Sequence, residues 1–179
     1  MVHIDNFVLK EKTPKSIIEQ YKDKIPEQIT DVWKKYGFGI MKNGYLKVVN
    51  PNEYRDILSD TYVRHNLAIP LFTTAMGDIL VWEDGYLLAI NYRKHQVNVV
   101  AKNFKFFFGD LSDNYYLEKA LDWLPYPQAV EKYGNVAFDE CFGYVPLLGL
   151  GGSEKVDNLK KVKLIEHIYL ITQFMGPIE

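Results

Sequence analysis

Disulfide chemistry is the first thing this sequence excludes. Its 179 residues contain one cysteine, Cys141, so no bridge can form within the chain. A reducing compartment is the simplest setting for such a composition. Long hydrophobic runs are also missing. The densest, Phe106-Phe107-Phe108 and Val145 to Leu150, fall far short of the roughly 20 residues that span a bilayer. The opening MVHIDNFVLKEKTPKS has no basic stretch followed by an apolar core, so it does not read as a signal peptide. No Asn-x-Ser/Thr acceptor occurs. The expectation is a soluble, cytoplasmic protein. The four histidines, His3, His65, His95 and His167, show neither an H-x-H nor an H-E-x-x-H spacing, and no second cysteine supports them as metal ligands. Linkers rich in Ser or Pro, low-complexity tracts and internal repeats are absent as well, which predicts close packing throughout.

What is abundant is core material. Thirteen Tyr, ten Phe and three Trp accompany an apolar fraction of 47%, and a charged fraction of 25% is ordinary, which argues against disorder. The net charge of −2 hides an uneven distribution. Residues 1–50 carry nine lysines against six acids, and residues 51–109 balance. Residues 110–154 hold eight carboxylates, Asp110, Asp113, Glu118, Asp122, Glu131, Asp139, Glu140 and Glu154, against Lys119 and Lys132. A block of one sign shapes the long-range field and hence the choice of partner. The alternative is that these acids are only the solvated faces of amphipathic helices.

Periodicity gives a coarse map. PEQITDVWKKYG places Ile29, Val32, Trp33 and Tyr36 on one helical stripe, with Pro26 at the first helical position and Gly37 as the stop. PKSIIEQYKDK is a weaker helix. FGIMKNGYLKVVNP has Asn43-Gly44 between apolar runs, which predicts a hairpin. NPNEYRDILSD predicts a short helix capped by Asn50 or Asn52. Residues 69–102 read as three or four strands, with turns at Gly77-Asp78 and Asp84-Gly85. FKFFF is expected to be a strand with its phenylalanines in the core; the alternative is a base-stacking surface with Lys102. SDNYYLEKALDWLPYPQAVEKYG predicts two helices broken at Pro125 and Pro127, and VPLLGLGG a buried strand or apolar loop. KLIEHIYLITQFMG places Leu164, Ile168, Ile171 and Met175 on a helical stripe ended by Gly176-Pro177.

Catalytic patterns fail on inspection. A phosphate loop needs Lys directly after its last glycine, whereas Gly152 is followed by Ser153-Glu154-Lys155. The dinucleotide pattern fails because Glu154 stands where its last glycine belongs. The glycines are expected to serve a sharp turn. Cys141 with His167 or His95 is conceivable as a nucleophile and base, but no cysteine-hydrolase signature flanks it and a small buried core residue is the plainer reading. Asp139-Glu140 lack a recognisable acid–base partner. No catalytic, cofactor-binding or metal-ligating residue is expected.

The order of segments resembles two known families. IPEQITDVWKKYGFG, the hairpin, VNPNEYRDIL and TTAMGDILVWEDG are similar to a GAD-like domain. FDECFGYVPLLGLGGSEKVDNLKKVKLIEHIYLITQFMG resembles the C-terminal domain of type VI secretion immunity proteins. The resemblance implies a GAD-like domain at 1–105 and the immunity-protein C-terminal domain at 106–179. The fold implied is α+β: N-terminal helices with an antiparallel sheet, packed against a smaller, mostly helical α+β C-terminal part. It further implies a protein that binds a cognate toxin of the type VI apparatus, often a DNase, and blocks it. The family brings no catalytic residues.

The acidic block agrees with that implication, because a DNase presents a basic cleft to the phosphate backbone. The expected partner-binding residues are Asp110, Asp113, Tyr115, Tyr116, Asp139 and Glu140. A contact around Glu83 and Asp84 is the alternative placement. Two other functions stay open on the residues alone. One is a regulator binding nucleic acid through Lys10, Lys12, Lys15, Lys22 and Lys24; the other is a hydrolase using Cys141 or His167.

Overall fold

Antiparallel pairing in strict sequence order builds the spine of the molecule. The computed structural model describes residues Met1–Glu179. Strands β1 (Val8–Glu11), β2 (Phe38–Met41), β3 (Leu46–Val48), β4 (Ile69–Thr74), β5 (Ile79–Glu83), β6 (Tyr86–Asn91) and β7 (Gln96–Ala101) form one seven-stranded meander. A separate hairpin joins β8 (Glu140–Tyr144) to β9 (Leu159–Lys163). The helices are α1 (Lys15–Tyr21), α2 (Glu27–Lys35), α3 (Arg55–Thr61), α4 (Phe107–Asp110), α5 (Asn114–Leu121), α6 (Tyr126–Tyr133) and α7 (Leu164–Met175). The fold is the expected α+β.

Turn chemistry explains the meander. Lys42, Asn43 and Gly44 all have positive φ, which suits the Asn-Gly hairpin between β2 and β3. Asp84 (φ 50°) and Gly85 (φ 82°) make the two-residue turn between β5 and β6 in the same way. The four strands β4 to β7 sit where the sequence places them.

Alternation along the strands then feeds two cores. Leu46, Val48, Phe72, Leu80, Leu87 and Ala89 belong to a large cluster with residues of α1, α2, α5 and α6. Ile79, Val81, Ile90 and Tyr92 face the other way, into a smaller cluster with Ile57 and Leu58 of α3 and Leu164, Ile168 and Ile171 of α7. Elements from beyond residue 105 therefore cover both faces of the sheet. In α2, Ile29, Val32 and Trp33 are buried as the periodicity predicts, although Pro26 is the N-cap and not the first helical residue. Asn50 caps a 3₁₀ turn, its side chain accepting from the Asn52 N–H, and that turn runs into α3.

One expectation is corrected. FKFFF is no strand: it forms a turn into the four-residue α4, burying Phe104 and Phe107 but leaving Phe106 64% exposed. Of the two readings of VPLLGLGG the loop holds: the strand ends just before it, at 140–144, and Leu148–Leu150 is a 3₁₀ turn.

Candidate partner-binding surface

The residues that could do chemistry are buried and held by structural duties. Cys141 is fully buried, and desolvation pushes its thiol up to about 12. His167 is buried too, and burial lowers its pKa, so the imidazole is neutral. Its ring lies over Gly143, where an added Cβ would meet Nε2 at 2.5 Å. No group of three or more His, Cys, Asp and Glu converges to hold a metal. Gly151 takes positive φ at the end of the 3₁₀ turn, and Gly149 lies against Met175 of α7, so these glycines shape the turn and its contact with the helix. At neutral pH a thiol titrating near 12 is thiolate in about one molecule in 10⁵. Native Cys141 should therefore react with iodoacetamide at least about 1,000-fold more slowly than the same residue in urea. Equal rates, followed by mass spectrometry, would show an accessible nucleophile instead.

Apart from Glu131, exposed on α6, the carboxylates of the acidic block divide into two groups. Asp122, the left-handed C-cap of α5, is drawn into a clamp at the end of the sheet. Arg93 Nη1 donates to Asp78 Oδ1 at 2.5 Å and to the Met76 carbonyl at 3.1 Å. Its Nη2 donates to the Asp122 carbonyl at 2.6 Å and lies 3.1 Å from Asp122 Oδ2. Lys94 completes the network, 2.8 Å from Asp122 and 2.9 Å from Glu154. Asp78 and Arg93 are both buried; burial pushes the Asp78 carboxyl up, and the guanidinium opposes it. Asp139 pairs with Lys163 at 2.8 Å. Glu140 folds back onto its own turn, accepting from the Ala137 N–H at 2.8 Å. Its carbonyl accepts from the buried Lys47, which also donates to the Ala137 carbonyl at 2.9 Å. Desolvation brings the Lys47 ammonium down to about 8.

The other group faces outward on α4 and α5. Asp110 and Asp113 are exposed, and Asp113 caps α5 by accepting from the Tyr115 N–H at 2.8 Å. Tyr115 is 69% exposed, with Lys119 Nζ 5.8 Å from its ring centre. Glu118 is exposed one turn further along. Tyr116 turns inward instead: its hydroxyl donates to the Val100 carbonyl of β7 at 2.9 Å, and burial raises its pKa to about 12. Phe106, which the sequence reading placed in the core, joins the exposed set. The six expected residues therefore separate: Asp110, Asp113 and Tyr115 share one surface at the α4–α5 edge, Tyr116 anchors that surface to the sheet, and Asp139 and Glu140 belong to the start of β8. The alternative patch is largely spent internally. Glu83 is buried and accepts from the Tyr62 hydroxyl at 2.7 Å and from Arg64, which also holds Asp84 at 2.8 Å.

The profile of the GAD-like domain matches residues 2–95. That of the T6SS immunity protein Tdi1, C-terminal, matches residues 101–175. The chain belongs to the GAD-like family and carries the immunity-protein C-terminal domain. This GAD-like chain also shares its fold with a solved structure, the crystal structure of Atu4351 from Agrobacterium tumefaciens. The TM-score is 0.72 at 23% identity, over 94% of this chain and 86% of that one. No curated protein gives a significant match. No helix is long and apolar enough to cross a membrane.

Proposed function

We propose that this immunity protein binds and neutralises a cognate type VI secretion toxin, a DNase effector, by stoichiometric inhibition in the cytoplasm of the producing cell. The observation that carries this reading is the α4–α5 edge, where Phe106 and Tyr115 are 64% and 69% exposed beside Asp110, Asp113 and Glu118. Large exposed aromatics ringed by charge are what a binding surface needs: the rings anchor, and the carboxylates steer toward a basic nuclease cleft. With the immunity-protein part taken to begin at residue 106, that edge stands at its opening, and Asp139 and Glu140 are further contacts. Family membership supplies the inhibitory role, and the charge supplies the nuclease class.

Co-expression with the toxin encoded by the neighbouring gene tests the proposal. The expected result is a complex that survives purification, protects the cell and lacks nuclease activity. A complex burying well above about 1,000 Å² is expected for inhibition this demanding. Two chains that elute separately, with toxicity undiminished, would end the reading.

A further inference from the structure

A second feature, independent of the toxin-binding reading, lies at the opposite edge of the sheet. A cavity of about 670 Å³ opens between β1, α1 and the end of α2. Its volume falls in the range of small-molecule sites, roughly 300–1,000 Å³. Leu9, Ile18 and Tyr36 line it beside Trp33, while Lys12, Lys15, Lys34 and Lys35 contribute positive charge. Lys12, Lys15 and Lys34 form no ion pair. The one carboxylate at the wall, Glu19, is already held by Lys22 at 2.7 Å, a pairing that lowers its pKa. The carbonyl end of α2 offsets part of the charge on Lys34 and Lys35. Lys12 and Lys15 come from the other wall and keep theirs.

Two residues of the lining carry a donor without a partner. The Trp33 indole N–H and the Thr13 hydroxyl are both buried without a hydrogen bond. Buried donors are nearly always satisfied, so two unpartnered ones on residues of a single lining call for an acceptor, which reaches these enclosed atoms once the lining side chains shift. The framework of the wall is fixed in place. Trp33 packs edge-on against Tyr21 and Phe38, at centroid distances of 6.1 and 5.8 Å. Gly37 brings the end of α2 so near β1 that an added Cβ would meet the Glu11 carbonyl at 2.5 Å.

We propose that this cavity binds an amphipathic organic anion: an apolar body seated on Leu9, Ile18 and Tyr36, ending in a carboxylate or phosphate that accepts from Trp33 and Thr13 and is neutralised by Lys12, Lys15 and Lys34. Such a group comes from a free metabolite or from the chain end of a protein, and the two differ in what must pass over the rim.

The test is a ¹⁵N–¹H titration of the whole chain. Its three tryptophans give three indole signals, and Trp33→Phe identifies the one from Trp33. Phenyl phosphate and phenylacetate are the probes, with benzyl alcohol as the neutral control. The Trp33 signal should move downfield and saturate below about 10 mM, on the scale of a weak small-molecule site. Those of Trp82 and Trp123 should stay in place. The affinity should fall at least about fivefold in Lys15→Gln/Lys34→Gln, whose substituted residues are exposed, and again in about 0.5 M salt, where screening is strong. Thr13→Val should weaken binding without shifting the other indole signals. A tetrapeptide ending in Phe with a free carboxylate distinguishes the sources. Tighter binding than phenylacetate assigns a protein chain end, weaker binding a metabolite, and either ordering supports the site. No saturable movement of Trp33, an equal response to benzyl alcohol, or unchanged affinity in the lysine variant would overturn the proposal.

Discussion

Arg93→Met should cost about 3–5 kcal/mol of stability, because it leaves the buried Asp78 without its counter-charge. Methionine keeps most of the apolar stem, so the loss reports the charge and not a cavity. The substitution also strands the Asp122 and Met76 carbonyls, which the guanidinium now satisfies. For a chain of this size the melting temperature should fall by roughly 6–20 °C. The pH dependence separates this account from a general packing defect. Without Arg93, burial holds the Asp78 pKa above its unfolded value, so the folded state keeps a proton that the unfolded state releases. Stability of the variant should then fall as pH rises through the unfolded carboxylate range toward the raised native pKa, more steeply than in the parent. Adding Asp78→Asn should recover part of the loss and flatten that slope. Urea titrations at several pH values measure both. A loss below about 1 kcal/mol, or identical pH slopes, would mean that the clamp contributes little.

The clamp matters because it joins regions far apart in sequence. Arg93 and Asp78 come from the meander, Asp122 from the end of α5, and Glu154 from the loop before β9. None of these pairings is marked by local spacing, so the sequence counts Asp122 and Glu154 as free acids of a steering block when Arg93 and Lys94 already hold them. Lys47 escapes notice for the same reason: a lysine in a short strand reads as a solvent-facing residue, and only the turn at 137–140 explains its burial. Features set by local chemistry are legible. The Asn43-Gly44 hairpin, the helical stripes of α2 and α7 and the four strands after residue 69 all follow from periodicity and turn residues. Strand β1 was not legible, since VLKE has no buried face to leave a pattern, and all four of its residues are exposed. FKFFF misleads because a run of aromatics carries no period; Phe106 points out simply because a helical turn cannot bury three consecutive side chains.

At the partner surface, the clean substitutions are those that leave the fold alone. Tyr115→Ala together with Phe106→Ala should weaken toxin binding by at least about 2 kcal/mol, close to 30-fold, mainly through faster dissociation. Both rings are mostly solvent-exposed, so stability should change by no more than about 0.5 kcal/mol. Charge reversal belongs at Asp110 and Glu118, whose side chains make no hydrogen bond within the protein. Asp113 needs a different change, because Asp113→Lys would also remove the α5 cap, worth about 1 kcal/mol. Asp113→Asn keeps a capping oxygen and deletes the charge. Asp110→Lys with Glu118→Lys should slow association several-fold at low salt and much less at high salt, as expected for rim charges that steer encounter. Asp84→Lys serves as the control for the alternative patch, where Arg64 already neutralises the carboxylate. Binding rates at two salt concentrations, alongside melting temperatures, separate the outcomes. Unchanged rates in the α4–α5 variants with a slowed Asp84 variant would move the interface to the β5–β6 turn and leave toxin inhibition itself intact. Unchanged rates in all of them would place the toxin on a surface where neither acid nor aromatic exposure guides recognition.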